Sequence, residues 1–301
     1  MKIAIIGLGH IAQKAYLPII TNKPGIKPVF VTRNQNVLKN LAEKYRVNEY
    51  YNTVDELAGK NIAAAFVHSS TESHFEIVSK LLDAGIHVYV DKPLSYSFEE
   101  SAALAKLAEK GNKLLFVGFN RRYAPMYKSI KEKSAPQIII MQKNRINTPG
   151  ETRKFVLDDF IHVIDTVRFL SPGNIKIKEV ESFRKDKILT GISVLLSGDS
   201  FSATAIMNRD SGANEEILEV MEPGVKWSVK NLNETIVYKN GGEKIVRFND
   251  WDYVLYRRGF VQITDHFIEL AGEKNPKHSY IKDALITHDF CEQVIDKLGR
   301  V

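Results

Sequence analysis

Apolar residues in the first third of the chain fall in short unbroken runs, separated by stretches with helical spacing. The runs at 2–6, 27–31, 63–67, 86–90 and 114–117 are the kind that form strands buried on both faces. Between them, residues 10–20, 37–45, 72–84 and 98–110 predict helices, the last two closed by Gly85 and Gly111. Strands alternating with helices imply right-handed crossovers and a parallel sheet.

Past about residue 120 the texture changes. Segments 137–142, 176–183, 192–196, 202–207, 216–220 and 235–238 read as strands joined directly by Gly, Asn and Asp turns, which predicts a mostly antiparallel sheet. Helical spacing returns at 158–170, 256–270 and 281–298. The expected architecture is α/β, with an N-terminal doubly wound domain over 1–119. An α+β domain with a mostly antiparallel open sheet is expected over 120–301, for substrate binding and oligomerisation.

The 301 residues are 44% hydrophobic and 26% charged, enough apolar material for a large core. The net charge of +6 is spread among acidic residues, and only the pairs Arg121-Arg122 and Arg257-Arg258 stand out, so no nucleic-acid partner is expected. The apolar run at 3–6 is too short for a membrane span or leader, and no membrane partner is expected. Cys291 is the single cysteine, which excludes an intrachain disulfide and suits a reducing cytoplasm.

Gly7-Leu8-Gly9-His10-Ile11-Ala12 lies between the first strand and the first helix. In that setting Gly7 permits the tight turn, Gly9 lets a pyrophosphate approach the backbone, and the small Ala12 lets helix pack on strand. The loop thus predicts a Rossmann-type dinucleotide-binding domain. An acid that would bind an NAD ribose is missing from the end of the second strand, where Thr32 and Arg33 stand. A hydroxyl and a guanidinium suit a 2′-phosphate, so NADP(H) is expected in preference to NAD(H).

Asp91-Lys92-Pro93, together with the glycine loop and the segment from Asp158 to Asp165, resembles the Gfo/Idh/MocA oxidoreductase family. The loop Ser70-Thr71-Glu72-Ser73-His74, the stretch Gly118 to Tyr123 and the tail Asp283-Ala284-Leu285 with His288 extend the resemblance along the chain. The aromatic segment Trp251, Tyr253, Tyr256 and Phe260 is similar to the MviM-like branch.

The resemblance implies an NAD(P)-dependent oxidoreductase moving a hydride between a nicotinamide and a secondary alcohol or carbonyl of a sugar, cyclitol or related metabolite. It makes Lys92 the catalytic lysine and places Asp158 and His162 at the substrate. Asp91 replaces the family's glutamate, and Phe160 replaces its usual glycine. Cofactor contacts are expected from Gly7, Gly9, His10, Ile11, Ala12, Thr32, Arg33, Ser69, Ser70, His74, Asp91, Lys92 and Asn120. Substrate contacts are expected from Lys92, Arg122, Tyr123, Asp158 and His162.

Residue chemistry agrees with these roles. Asp158, His162 and Asp165 are spaced four and three apart, so an α-helix would put them on one face. Histidine titrates near neutrality and can take a hydroxyl proton, while a lysine can stabilise charge on the reacting oxygen. Arg122 is equally readable as a salt-bridged hinge, and His74 as a helix cap or packing residue. No catalytic metal is expected, because an aspartate and histidine here lack a third ligand at suitable spacing. The remaining expectations are a small-molecule substrate and a homodimer or homotetramer, the alternative function being a non-catalytic dinucleotide-binding regulator.

Overall fold

The computed structural model describes residues 1–299, and the chain divides into two compact units. The first comprises Met1–Gly118 with Phe260–Leu285, and the second Phe119–Gly259 with the chain from Ile286 on. Residues 260–285, grouped by sequence with the second domain, therefore belong to the first unit.

Unit 1 is a six-stranded sheet built from β1 (Lys2–Ile6), β2 (Lys27–Val31), β3 (Tyr50–Tyr51), β4 (Ala64–Val67), β5 (His87–Val90) and β6 (Leu115–Val117). Their order is β3-β2-β1-β4-β5-β6 and every pairing is parallel. The strands read as apolar runs because both faces are covered: Ile3, Ile5, Phe30, Phe66 and Val88 are fully buried. The helical run after the glycine loop contains a π turn at Ala12–Tyr16 before α1 (Leu17–Ile20). Three helices follow: α2 (Gln35–Tyr45), α3 (His74–Asp83) and α4 (Phe98–Lys110). Asn34 and Ser97 cap α2 and α4 through side-chain oxygens that accept from Val37 and Glu100 N–H, each bond worth ~1 kcal/mol.

The two-residue β3 escaped the sequence pattern because so short an edge strand shows no periodicity. The C-terminal contribution to unit 1 is α9 (Phe260–Ala271) and the start of α10 (Ser279–Gly299), preceded in the chain by α8 (Val254–Arg257). Phe267 of α9 meets Phe66 and Tyr89 at 5.0 and 5.5 Å between centroids.

Unit 2 contains α5 (Pro125–Lys133), α6 (Thr152–Phe155), α7 (Ile161–Leu170) and an eight-stranded sheet. Its strands are β7 (Ile138–Asn144), β8 (Lys176–Lys185), β9 (Ile188–Ser197), β10 (Ser202–Asn208), β11 (Glu215–Glu222), β12 (Val225–Lys230), β13 (Glu234–Lys239) and β14 (Gly242–Arg247). The order is β14-β13-β12-β11-β7-β10-β9-β8, antiparallel except for the parallel β7/β10 pair. Helix α7 packs on one face, where Ile139, Met141, Ala203, Ala205 and Val220 are buried. By register, the opposite face carries Ile138, Leu195, Phe183, Tyr238 and Ile245, all exposed.

Between α6 and α7 the backbone makes a π turn over Val156–Phe160. Asp158 lies inside that turn, so the α-helical spacing that sequence assigns to Asp158 and His162 does not hold there.

Candidate functional site

In unit 1 a cavity of about 640 Å³ opens at the carboxyl ends of β1, β2 and β4. Ligands of open parallel sheets bind at such strand ends. Gly7, Gly9, Thr32, Arg33, Ser69 and Ser70 all line it, bringing six of the expected cofactor residues together.

Backbone geometry explains both glycines. Gly7 has φ +81°, and a Cβ there would lie 2.5 Å from the Ser69 amide nitrogen, so no other residue fits without moving the chain. A Cβ on Gly9 would meet nothing within 4 Å, leaving open room beside the loop for a phosphate to approach the main chain. The residues thus fit a dinucleotide.

Arg33 is exposed at the cavity and forms no hydrogen bond or ion pair among the described residues. Asp55 and Glu76, acids that also line the cavity, are both paired with Lys80, at 3.0 and 3.1 Å. Sequence reasoning missed Asn52, Thr53, Asp55, Glu76 and Lys80. The first three follow β3, whose brevity hid the loop's position.

Other expected cofactor residues lie outside this lining. His10 and Ile11 are exposed, and Ala12 is fully buried. His74 is 1% exposed, with its ring nitrogens 3.1 and 3.0 Å from the carbonyls of Ser69 and Pro93. That makes it a brace between two loops. Burial lowers its pKa from the usual value, against the pull of Asp91.

Asp91 stands just past β5 and bonds through Oδ2 to Nδ1 of His68 at 2.7 Å. Burial would raise its pKa, but His68, His74 and the hydroxyl of Tyr16 outweigh burial and keep it low. His68 itself stacks on Tyr16 at 4.0 Å. The departure from glutamate therefore leaves an aspartate held in a buried network, next in sequence to half-buried Lys92 and the cis Lys92-Pro93 peptide.

In unit 2 Asp158 is half-buried in the π turn and His162 is 9% exposed on α7. The ring of Phe160 is fully buried and belongs to the core. Asp165 lies apart from any acid/base role, because Arg122 donates to both its oxygens at 2.6 and 2.9 Å and Thr287 adds a third bond at 2.8 Å. Arg122, expected at the substrate, is thereby ion-paired within unit 2. Tyr123 is half-buried, and the Asn120 amide donates to the carbonyl of Arg258 at 2.8 Å.

A second charged network lies beside them. Arg121 grips Glu216 through a fork at 2.6 and 2.9 Å, and the Tyr127 hydroxyl donates to the same carboxylate at 3.1 Å. Burial would raise the Glu216 pKa, yet Arg121 holds it at about 2. Lys143 pairs with Asp159, and Arg145 reaches the same carboxylate at 3.3 Å. Burial, reinforced by Arg121, lowers the Lys143 pKa to about 7 despite Asp159. Among the described residues no three His, Cys, Asp or Glu side chains group as a metal site, and no helix is long and apolar enough to cross a membrane.

Comparison with known proteins follows the same two-part division. Residues 1–119 match the model of the oxidoreductase family with an NAD-binding Rossmann fold, GFO_IDH_MocA. Residues 125–240 match a YceM-like C-terminal domain. A protein named as an oxidoreductase, YceM of Salmonella typhimurium, is 32% identical, over 100% of this chain and 97% of its own. The crystal structure of a dehydrogenase (MviM) from Clostridium difficile superposes with a TM-score of 0.94 at 35% identity, covering 99% of both chains. The myo-inositol 2-dehydrogenase of Thermotoga maritima is 27% identical over 71% of this chain and 66% of its own. The chain belongs to the Gfo/Idh/MocA family of NAD-binding oxidoreductases.

Proposed function

We propose that the protein transfers a hydride between NADP(H) and a secondary alcohol or carbonyl of a sugar, cyclitol or related polar metabolite. The observation that carries the reading is the unit 1 cavity, where the glycine turn and the unpaired guanidinium of Arg33 line one space. Arg33 and Thr32 would hold a 2′-phosphate, and the open side of Gly9 would admit the pyrophosphate. The nicotinamide, when bound, supplies or accepts the hydride.

The chain's own residues would handle the proton and the developing charge. Lys92, just past the carboxyl end of β5, would hydrogen-bond the reacting oxygen and stabilise negative charge on it. His162 would exchange the hydroxyl proton, with Asp158 orienting the substrate. The inositol dehydrogenase among the relatives supports a polyol as substrate class.

The open apolar face of the unit 2 sheet supports a homodimer or homotetramer, which light scattering checks. The activity is tested by following NADPH and NADP absorbance over sugars, inositols and their phosphates, with Lys92→Ala as control. Turnover in the wild type alone is expected. Dinucleotide binding with no turnover of any substrate would favour a regulator.

A further inference from the structure

The pair Arg257-Arg258, conspicuous in sequence, comes to lie in a cavity of about 390 Å³ in unit 2. Arg121, Lys143 and Arg145 line it as well, with Glu215 and Glu216 and the asparagines Asn214, Asn231 and Asn233. Several of these charges are already matched. Arg121 is committed to Glu216, and Lys143 and Arg145 share Asp159. Neither Arg257 nor Arg258 forms a salt bridge among the described residues, and Glu216, which attracts Arg258 through space, is already gripped by Arg121.

Hydrogen-bond bookkeeping gives the cavity its character. The Asn231 carbonyl accepts from the Glu216 N–H at 2.9 Å, and the Asn214 carbonyl accepts from the Ile146 N–H at 3.2 Å. A backbone N–H can only donate, so these two contacts fix which end of each amide is oxygen. Asn233 likewise offers its carbonyl to Arg257. Each carbonyl thus has a donor within the protein, and each amide keeps an NH2 with no acceptor among the described residues. The Nε of Arg257 is buried with no partner at all. A buried donor left unmatched is unfavourable, and an acceptor-rich ligand would relieve it.

We propose that this cavity is an anion site that receives the phosphate of a phosphorylated sugar or cyclitol. The inference rests on the oxidoreductase reading above for the rest of that molecule. Guanidinium groups and amide NH2 donors match the acceptor-only oxygens of a phosphate, and Glu215 is placed to accept from a ligand hydroxyl. The volume falls within the range that holds small metabolites. Lys143, pressed toward neutrality by burial and by its cationic neighbours, would be favoured in its charged form once an anion arrived.

The test separates the anion site from the activity. Inorganic phosphate is titrated calorimetrically into the full chain saturated with NADP, so that the dinucleotide loop is already filled, with chloride at matched ionic strength as the control. Saturable phosphate binding is expected, weakened at least tenfold in Arg258→Gln and in Arg257→Gln/Arg258→Gln. The melting temperature and NADPH affinity of each variant report that its fold is intact. Absence of phosphate-specific binding, or binding that survives both variants, overturns the site. In the NADPH-linked assay, Arg258→Gln should raise KM at least tenfold for phosphorylated polyols and leave unphosphorylated ones unchanged, and equal effects on both would overturn the assignment. Phosphate bound at these arginines with no polyol turned over would leave the anion site standing and refute the oxidoreductase reading.

Discussion

Arg122 and Asp165 form a two-pronged pair, with Nη2 to Oδ1 at 2.6 Å and Nε to Oδ2 at 2.9 Å. The carboxylate is 1% exposed, so its charge has no access to water. Removing the guanidinium strands a buried anion, with only Thr287 left to bond it among these contacts. Arg122→Ala is therefore expected to lower the free energy of unfolding by about 3 kcal/mol, measured by urea denaturation. A change under ~0.5 kcal/mol would show that the fork is dispensable.

The two loop glycines should separate cleanly. Gly7→Ala forces a Cβ to within 2.5 Å of the Ser69 backbone at φ +81°, so it should lower both the melting temperature and dinucleotide affinity, by roughly 2 kcal/mol in stability. Gly9→Ala meets no protein atom within 4 Å. It should melt like the wild type and fail only in binding the cofactor. Equal stability losses in the two variants would refute this division.

Cofactor choice turns on one cation. Arg33→Ala should weaken NADPH about tenfold or more, the value of a charge-assisted hydrogen bond, while NADH affinity stays within about twofold. Fluorescence titration of both cofactors reads this directly. Parallel losses for NADPH and NADH would remove Arg33 from 2′-phosphate recognition.

Stability should fall with acid in two windows. His87 is lowered from 6.5 by burial and then by Lys113, and its Nδ1 accepts the Leu114 N–H at 2.9 Å, a bond only the neutral ring can take. His74 is lowered in the same direction. The unfolded chain binds these protons first, so the contribution is complete above pH 6.5 and is lost as pH falls toward the folded pKa values. Glu216 contributes above 4.5 and loses that contribution as pH falls toward about 2. Urea unfolding from pH 7 to 3 should show the histidine window first, with a shallower slope in His87→Gln. Constant stability from pH 7 to 5 would contradict the assignment.

Sequence disclosed most of unit 1 because its strands are buried on both faces and its helices are capped, signals that lie within a few residues of each other. It was silent on β14 because Glu243 and Lys244 interrupt the apolar alternation and all six of its residues are exposed, whereas β12, with Val225, Trp227 and Val229 alternating with polar residues, carried a strand pattern that was passed over. At the site, the glycine turn was legible from local spacing. The Arg121–Glu216 fork joins residues 95 positions apart, and no local pattern carries such a pairing. The same holds for Asn214, Asn231 and Asn233, which line one cavity with Arg257 and Arg258. His74 was readable either way, because its position beside the nucleotide loop is visible in sequence whereas its enclosure between two carbonyls is not.

The π turn at Val156–Phe160 accommodates one residue more than an α turn of the same rise. Five residues there close a turn that four would otherwise close, so the extra residue is absorbed without rotating the helix on either side. Deleting a single residue within it would restore an α turn and leave α7 and the chain before it in phase. Homologous chains that keep the aspartate and histidine but differ by one residue between them would therefore present the same face, and a fixed-spacing motif search would pass over the kinship.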